Sequence, residues 1–177
     1  MIHPGHLRQF VIRPTLEHLG KWSEAAENLV FGTIAQESLI GNVQFLKQQS
    51  GPALGIGQVE PATHEDNWVN YLRYRMGKGE IGRKVMDFVP AWADEAGNYV
   101  DGFKYPSNLL LITSLEYNVA QCRVKYFRVP EKLPDADDLE ALGCYWDTYY
   151  NANPSHGFPR DWVAAYMRAR ELEVALD

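Results

Sequence analysis

Glycine and proline divide this chain into short segments, and most of these segments carry apolar residues at helical spacing. The most apolar segment starts at residues 109–112 and continues at that spacing to Phe127, which predicts a central buried helix. Other helices are predicted as two short pieces within 6–19 separated near Pro14, then over 24–38, from Thr63 towards Gly77, within 80–89, over 137–151 and over 160–175. The predicted fold class is mainly α, an α-dominated α+β fold.

One long stretch does not fit a regular helix. Residues 41–61 contain Gly51, Gly55 and Gly57 together with prolines, so a shaped loop with room for a short hairpin is predicted there. Residues 96–102 likewise predict a turn or small hairpin. The sequence contains no repeat, low-complexity tract or linker that would mark a second domain.

The 177 residues therefore predict a single domain, with an N-terminal helical extension over about 1–20, a core over about 23–128 and C-terminal helices over about 137–175. Hydrophobic residues make up 46% of the chain, enough to bury a core, which argues against intrinsic disorder. A net charge of -6 disfavours binding to nucleic acid. Because no apolar run approaches the ~20 residues of a membrane span and no secretory leader begins the sequence, we expect cytoplasmic synthesis without a signal peptide and no membrane insertion.

The cysteines and histidines show no pattern typical of a disulfide scaffold or a metal site. Cys122 and Cys144 are the two cysteines and lie in no C-x-x-C pair, so free thiols are expected. The five histidines include no pair at the H-x-x-x-H spacing of a helical zinc site. We therefore expect neither a metal nor another cofactor.

Glu37 is the first candidate for a catalytic residue. It shares a helical face with Ala26, Val30 and Thr33, so a carboxyl group ends a largely apolar stripe. Partial burial and the negative end of the helix dipole would both raise the pKa of that carboxyl group and favour its protonated form. These are the conditions for a general acid at neutral pH, whereas the plainer interpretation is a solvated acid in the last helical turn.

Two other regions carry polar groups that suit a ligand site. Gly55 and Gly57 would let the backbone approach a ligand closely, and Gln58 beside them offers both a donor and an acceptor. Tyr117 and Asn118 lie within the apolar central segment, where a buried phenol and amide need hydrogen-bond partners. Taken alone, however, a Gly-rich turn usually serves only chain reversal, and a Tyr-Asn pair in a helix is more often a satisfied polar contact in the core.

In combination and in this order, three motifs resemble the signature of lysozyme-like lytic transglycosylases and goose-type lysozymes. The motifs are Ala-Gln-Glu-Ser over 35–38, Gly-Pro-Ala-Leu-Gly-Ile-Gly-Gln over 51–58 and Glu-Tyr-Asn-Val-Ala-Gln-Cys-Arg-Val over 116–124. In that family they read roughly E-S, G-x-x-G-L-M-Q and A-Y-N-A-G-x-G-R-V, with similar spacing. A further run, Tyr-Trp-x-x-Tyr-Tyr-Asn over 145–151, resembles a sequence common in bacteriophage-encoded members.

The chain departs from the family pattern at particular positions. Val119, Ala120 and Cys122 replace small residues of the third motif, so we expect the helix to continue where relatives turn. Gly57 replaces a methionine, which removes a packing side chain near the sugar site.

The resemblance implies a lysozyme-like helical domain in which a Gly-rich loop or small hairpin flanks the substrate cleft. It implies an enzyme that cleaves the β-1,4 bond between N-acetylmuramic acid and N-acetylglucosamine in peptidoglycan, with Glu37 protonating the leaving oxygen. The substrate-binding residues that it implies are Ser38, Gly55, Gly57, Gln58, Tyr117 and Asn118. Among them, Tyr117 and Asn118 would hold the sugar or its N-acetyl group, and Ser38 would orient Glu37 or bond to the glycan.

The role of Glu60 separates two reaction types. Inverting hydrolysis needs a second carboxylate, about 6.5–9.5 Å from the acid, to activate water. If Glu60 supplies it, the protein is a muramidase. If Glu60 instead points to solvent, Glu37 must act as acid and then as base, and the 6-hydroxyl of the muramic acid becomes the nucleophile of a lytic transglycosylase. An acid just before a helix is also common for dipole reasons alone.

A non-catalytic alternative is a glycan-binding or virion structural protein on the same fold, since fold does not imply function. In either case the expected partner is the peptidoglycan glycan strand, with phage virion proteins as a further candidate. The resemblance to phage members places the site of action at the cell wall, either in a virion or after release during lysis.

Overall fold

The structure is a computed structural model that describes residues 2–38, 51–151 and 157–174. The described chain is predominantly helical and contains one two-stranded sheet, which confirms the α-dominated α+β class. Among the helices in these three ranges, none is both long and apolar enough to cross a membrane.

The N-terminal residues 4–19 form one uninterrupted helical stretch. It consists of α1 (Pro4–His6), a π-helical segment (Leu7–Ile12) and α2 (Arg13–Leu19). The predicted separation at Pro14 is therefore wrong. The N–H of Arg13 donates to the carbonyl of Arg8, five residues earlier, and this wider turn accommodates the proline ring and its missing N–H without ending the helix.

Helix α3 (Glu24–Ser38) has the predicted bounds. Ser23 provides the N-cap, since its Oγ accepts a hydrogen bond from the N–H of Ala26 at 3.1 Å. The helix is buried along most of its length. The next described residue is Gly51, so the first half of the predicted loop over 41–61 lies outside the described residues.

The middle of the chain is built from short helices: α4 (Pro61–Asn70), a 3-10 turn (Leu72–Tyr74), α5 (Ile81–Met86) and α6 (Ala91–Glu95). Helix α4 begins at Pro61 and not at Thr63, because proline fits the first turn of a helix. Asp66 on this helix forms an ion pair with Arg128.

Two short strands follow, β1 (Asn98–Val100) and β2 (Phe103–Tyr105). They form an antiparallel hairpin that pairs Asn98 with Tyr105 and Val100 with Phe103. The hairpin predicted around residues 96–102 is therefore confirmed.

The long apolar segment forms two helices, α7 (Leu110–Thr113) and α8 (Leu115–Phe127). The prediction of one continuous helix is wrong at Ser114, whose backbone is extended with φ -126° and ψ 117°. The Oγ of Ser114 accepts a hydrogen bond from the N–H of Tyr117 at 3.1 Å and so caps α8. The break turns the carbonyl of Leu111 towards Asn118, whose Nδ2 donates to it at 2.9 Å.

The last two helices are α9 (Leu139–Tyr149) and α10 (Pro159–Val174), close to the predicted ranges. Asp138 caps α9, since its Oδ1 accepts a hydrogen bond from the N–H of Ala141 at 2.9 Å. Helix α10 packs against both α3 and α9.

Helix α8 lies between two hydrophobic clusters. Val119, Cys122 and Tyr126 face the cluster that α3, α9, α10 and the N-terminal helix build. Ala120 and Val124 face a second cluster, to which α4, α5 and β2 contribute. The helix continues without a turn through the positions where the third motif departs from the family, as their larger residues predict.

Glu27 joins the N-terminal helix to α3. Its carboxylate is buried and accepts hydrogen bonds from Arg13 at 2.8 and 3.0 Å and from Nε1 of Trp22 at 2.6 Å. Burial alone would raise the pKa of Glu27, but the hydrogen bonds from Arg13 and Trp22 outweigh it and hold the pKa below its usual value. The ion pair is thus a structural link, and the N-terminal helix is part of the core.

We expect Gly32→Ala to destabilise the protein by about 2 kcal/mol, because a Cβ at this position would lie 2.1 Å from the indole ring of Trp162 on α10. Urea denaturation measures the loss. In the double variant with Trp162→Phe, the smaller ring should recover part of it, giving a coupling energy between the two sites. Strictly additive losses would contradict this account of how α3 and α10 meet.

Candidate active site

Glu37 lies in the last turn of α3 with its carboxyl group partly buried. Nε1 of Trp146 donates a hydrogen bond to Oε1 of Glu37 at 3.2 Å. Trp146 is on α9 and is only 1% exposed, so its indole ring is held by the core around it. Two helices that are distant in sequence therefore fix the position of this carboxyl group.

The environment of Glu37 raises its pKa to about 7. Burial is the cause of the increase, and it outweighs the hydrogen bond from Trp146 and the positive charge of Lys125, both of which lower the pKa. At neutral pH about half of the Glu37 carboxyl groups are protonated, since the pH then equals the pKa. Such a group can donate a proton and can also take one back, which are the two roles of a general acid and base.

Lys125 supplies the positive charge next to this carboxyl group. Its Nζ donates to the carbonyl of Tyr150 at 2.9 Å and lies 4.2 Å from the centre of the Tyr150 ring. Burial lowers the pKa of Lys125, while the carboxylates of Glu37 and Glu60 raise it. Lys125 is thus close enough to both acids to interact with each.

The second motif forms a tight turn beside this site. Leu54 and Val59 pair as an antiparallel bridge with two hydrogen bonds of 3.0 Å, and the residues between them reverse the chain. Gln58 has a left-handed backbone, with φ 46°, which is uncommon for a residue other than glycine. Its Nε2 donates to the carbonyl of Gly55 at 2.7 Å, so the side chain helps to hold its own strained backbone.

Asn118 attaches this turn to α8. Its side chain makes three hydrogen bonds: Oδ1 accepts from the N–H of Gly57 at 2.8 Å, and Nδ2 donates to the carbonyls of Leu54 at 3.1 Å and Leu111 at 2.9 Å. Asn118 is 1% exposed. Its polar atoms are directed into the protein, so we assign Asn118 to the scaffold of the site and correct the predicted contact with sugar.

Gly55 and Gly57 are needed for this attachment. A Cβ on Gly55 would lie 1.8 Å from the carbonyl oxygen of Leu111, and one on Gly57 would lie 2.8 Å from Oδ1 of Asn118. The hydroxyl of Tyr150 donates to the carbonyl of Gly57 at 2.6 Å. These glycines therefore allow the turn to approach other parts of the protein closely. Asn118 and Tyr150 occupy the space that a side chain at position 57 would need.

Tyr117 is fully buried in a hydrogen-bonded network. Its hydroxyl lies 2.6 Å from Nε2 of His64 and accepts from Nε1 of Trp68 at 2.8 Å, while Nδ1 of His64 lies 2.7 Å from Oδ1 of Asn108. Burial lowers the pKa of His64 to about 4, against a smaller opposing effect of Asn108, so the imidazole is neutral at pH 7. Tyr117 therefore supports the start of α8 and does not reach the protein surface.

The remaining predicted residues lie around Glu37 in different settings. Ser38 is buried, and its Oγ donates to the carbonyl of Ile34 at 2.8 Å, an interaction within α3. Gln58 is partly exposed. Glu60 is exposed at the N-cap position of α4, where its side chain makes no capping hydrogen bond. An acid at this position interacts favourably with the helix dipole even without such a bond.

Three residues that stabilise the site were not predicted as members of it: Lys125, Trp146 and Tyr150. Lys125 follows Asn118 by seven positions on α8, which places both on one face of that helix. Trp146 and Tyr150 are four positions apart near the end of α9 and share a face in the same way. Helical spacing groups each pair, but no local pattern indicates that the two faces meet at Glu37.

No group of three or more histidine, cysteine or acidic side chains suited to a metal ion occurs within the described ranges. Cys122 is buried and Cys144 is exposed, and both are free thiols. Burial raises the pKa of the Cys122 thiol to about 12, so this side chain is an uncharged part of the wall next to Tyr150.

Comparison with known proteins found no counterpart of this chain. No protein-family model matches the sequence, and neither a curated protein nor a solved structure gives a significant match.

We expect Glu37→Gln to make the protein more stable at pH 8, by about 2 kcal/mol, and to have little effect below about pH 4.5. The pKa of Glu37 is higher in the folded state than in the unfolded chain. As the pH rises from the unfolded value of about 4.5 towards 7, the unfolded chain therefore loses its proton first and wild-type stability falls. Urea denaturation at several pH values measures the difference between the two proteins.

Glu95→Gln is the matched control for this experiment. Glu95 is an exposed acid on α6, so the same substitution there should give no pH-dependent gain in stability. Equal or lower stability of Glu37→Gln at pH 8 would mean that the Glu37 carboxylate is well solvated.

Proposed function

We propose that this protein cleaves the β-1,4 bond between N-acetylmuramic acid and N-acetylglucosamine in peptidoglycan, with Glu37 as the general acid. The observation that carries the proposal is a carboxyl group with a pKa of about 7, beside the turn formed by the second motif. A carboxyl group poised near neutral pH is what protonation of a glycosidic leaving oxygen requires. The three motifs that resemble the lysozyme-like family name the substrate class.

In the first step, the proton of Glu37 passes to the leaving oxygen as the bond from that oxygen to the anomeric carbon breaks. Glu37 is then a carboxylate. The indole N–H of Trp146 already donates to Oε1, and Lys125 lies close enough to stabilise the new negative charge. Both groups are held by packing and hydrogen bonds before the reaction, so they need little rearrangement.

Two routes complete the reaction. In hydrolysis, a water molecule attacks the anomeric carbon and gives its proton to Glu60, so that one water is consumed. In transglycosylation, the 6-hydroxyl of the muramic acid attacks and gives its proton to Glu37, and a 1,6-anhydro product forms without net water. The exposure of Glu60 fits transglycosylation, whereas its charge interaction with Lys125, which also interacts with Glu37, fits hydrolysis.

The surface that contacts the glycan is smaller than the motifs alone imply. Gln58 stays the leading substrate contact, since its partly exposed side chain lies on the turn next to the site. Tyr117, Asn118 and the two glycines of the turn act indirectly, because their contacts fix the turn against α8. A binding protein without turnover would not need a half-protonated carboxyl group.

Digestion of purified peptidoglycan, with mass spectrometry of the released muropeptides, tests this proposal. We expect Glu37→Gln to lower the rate by about 100-fold or more, the usual scale for loss of a general acid, and Glu95→Gln to leave the rate unchanged. Soluble products with reducing ends that disappear in Glu60→Gln would support hydrolysis. Products with 1,6-anhydro ends that persist in Glu60→Gln would support transglycosylation, and no wild-type products from several wall types would refute the enzyme proposal.

The dependence of the rate on pH gives a separate prediction. Activity should fall about tenfold per pH unit above pH 7 as Glu37 loses its proton. Lys125→Met removes the positive charge that lowers the pKa of Glu37, so this alkaline limb should move to higher pH. The control Lys132→Met removes an exposed lysine and should leave the profile in place. If the alkaline limb of the pH–rate profile is unchanged or moves to lower pH in Lys125→Met, Lys125 does not lower the pKa of Glu37.

A further inference from the structure

A cavity of about 300 Å³ lies on the opposite side of α8 from the candidate active site. Tyr71 and Phe127 form aromatic walls, and the charged residues on its lining are Lys21, Arg75, Lys84 and Glu80. Phe127 is nine positions after Asn118, which places the two on opposite faces of the helix. The cavity is therefore separate from the Glu37 site.

The cations of this cavity are held in position by the aromatic walls and by the backbone. Nζ of Lys21 lies 4.0 Å from the centre of the Phe127 ring, and the guanidinium carbon of Arg75 lies 3.8 Å from that of Tyr71. Nη1 of Arg75 donates to the carbonyl of Tyr71 at 3.1 Å. The third cation is Lys84. Its Nζ lies close to the backbone of Gly20, the residue before Lys21, because a Cβ built on Gly20 would be only 3.1 Å from it.

Arg123 adds a fourth positive charge directly behind this wall. It is 7% exposed, and its Nε donates to the backbone carbonyl of Lys21 at 3.1 Å. Its guanidinium carbon lies 5.4 Å from the centre of the Phe127 ring. A nearly buried guanidinium normally has a carboxylate partner, because an unpaired buried charge is costly.

None of these four cations has a carboxylate within 4.0 Å in the part of the chain that the structure describes. The two nearby acids are engaged elsewhere: Glu80 accepts from the N–H of Gly77 at 2.7 Å, and Asp87 lies 3.0 Å from Nε2 of His18. Burial lowers the pKa of Lys21, and the positive charges of Arg123 and Lys84 lower it further. In a chain with 23 acidic and 17 basic residues, this concentration of unpaired cations needs a physical reason.

We propose that this cavity is a binding site for a phosphate group. Three cations on the lining and one behind it exceed the single carboxylate present, so a ligand that carries two negative charges offsets them better than a monovalent carboxylate does. Arg75 presents the planar donor fork that suits phosphate oxygens, and the two lysines contribute point charges. The same oxygens would be recognised in a phosphate monoester, which carries up to two negative charges, and in a phosphodiester polymer, which carries one at each phosphate and repeats it along the chain.

Calorimetric titration of the full chain at constant ionic strength tests the site. The probes are inorganic phosphate, glycerol 3-phosphate, poly(glycerol phosphate) and acetate. We expect saturable binding of phosphate, at least tenfold weaker binding in Lys84→Gln and in Lys21→Gln, and unchanged binding in Lys132→Gln, which removes the same charge from an exposed position outside the cavity. Tighter binding of the polymer than of the small ester would identify a polymeric source, and the reverse would identify a small ligand.

Stability separates this ligand site from a merely structural cluster. Without phosphate, Lys84→Gln should melt at the wild-type temperature or above it, since the substitution removes repulsion with Lys21. With phosphate, the melting temperature should rise in the wild type and not in Lys84→Gln. Glu37→Gln should keep full phosphate binding, so failure of the catalytic proposal would not affect this one.

Three results would overturn the proposal. They are the absence of saturable phosphate binding by the wild type, acetate binding as tight as phosphate binding, and an equal loss of affinity in Lys132→Gln.

Discussion

The arrangement of the candidate active site depends on the side-chain amide of Asn118. One buried amide bonds to the N–H of Gly57 and to two carbonyls, one in the turn and one at the end of α7. A buried amide without hydrogen-bond partners would cost folding free energy. These three bonds therefore fix the distance between the turn and α8 within narrow limits. The requirement for glycine at positions 55 and 57 and the extended backbone at Ser114 both follow from this one close approach.

The geometry of helix α8 places its charged residues on two opposite faces. Lys125 faces the same way as Asn118 and lies beside Glu37, whereas Arg123 and Phe127 face the cationic cavity on the far side. The apolar residues between them enter the two hydrophobic clusters. Both sites therefore rest on a helix held from either side by packed core.

Two acids on α3 show how hydrogen-bond partners determine the net effect of burial on the pKa of a carboxyl group. Burial raises the pKa of both Glu27 and Glu37. Glu27 has direct hydrogen bonds from Arg13 and Trp22, which reverse the effect and leave a stable ion pair. Glu37 has one indole hydrogen bond and a more distant lysine, which reverse it only in part. The first acid stabilises the fold, while the second is left with a pKa suited to proton transfer.

The sequence by itself determined the helical class, the bounds of α3, the hairpin near residue 100 and Glu37 as the residue to examine. These depend on local periodicity, caps and breakers, which act within a few residues. It also indicated the glycine turn and the Tyr117–Asn118 pair, whose polar groups bond to the protein, whereas the family resemblance assigned them to a ligand. The break at Ser114 and the continuous helix through Pro14 were missed, because hydrogen bonds at those points override propensity.

Only the tertiary structure decided that Trp146 and Lys125 meet at Glu37, and that four cations converge on the cavity walled by Tyr71 and Phe127. Trp146 is 109 positions from Glu37 in the chain, and Lys21 is 102 positions from Arg123. Contacts over such separations depend on how helices pack against each other, which no local pattern encodes. The pKa of Glu37 is a product of those contacts, so the sequence could suggest the acid but not its proton affinity.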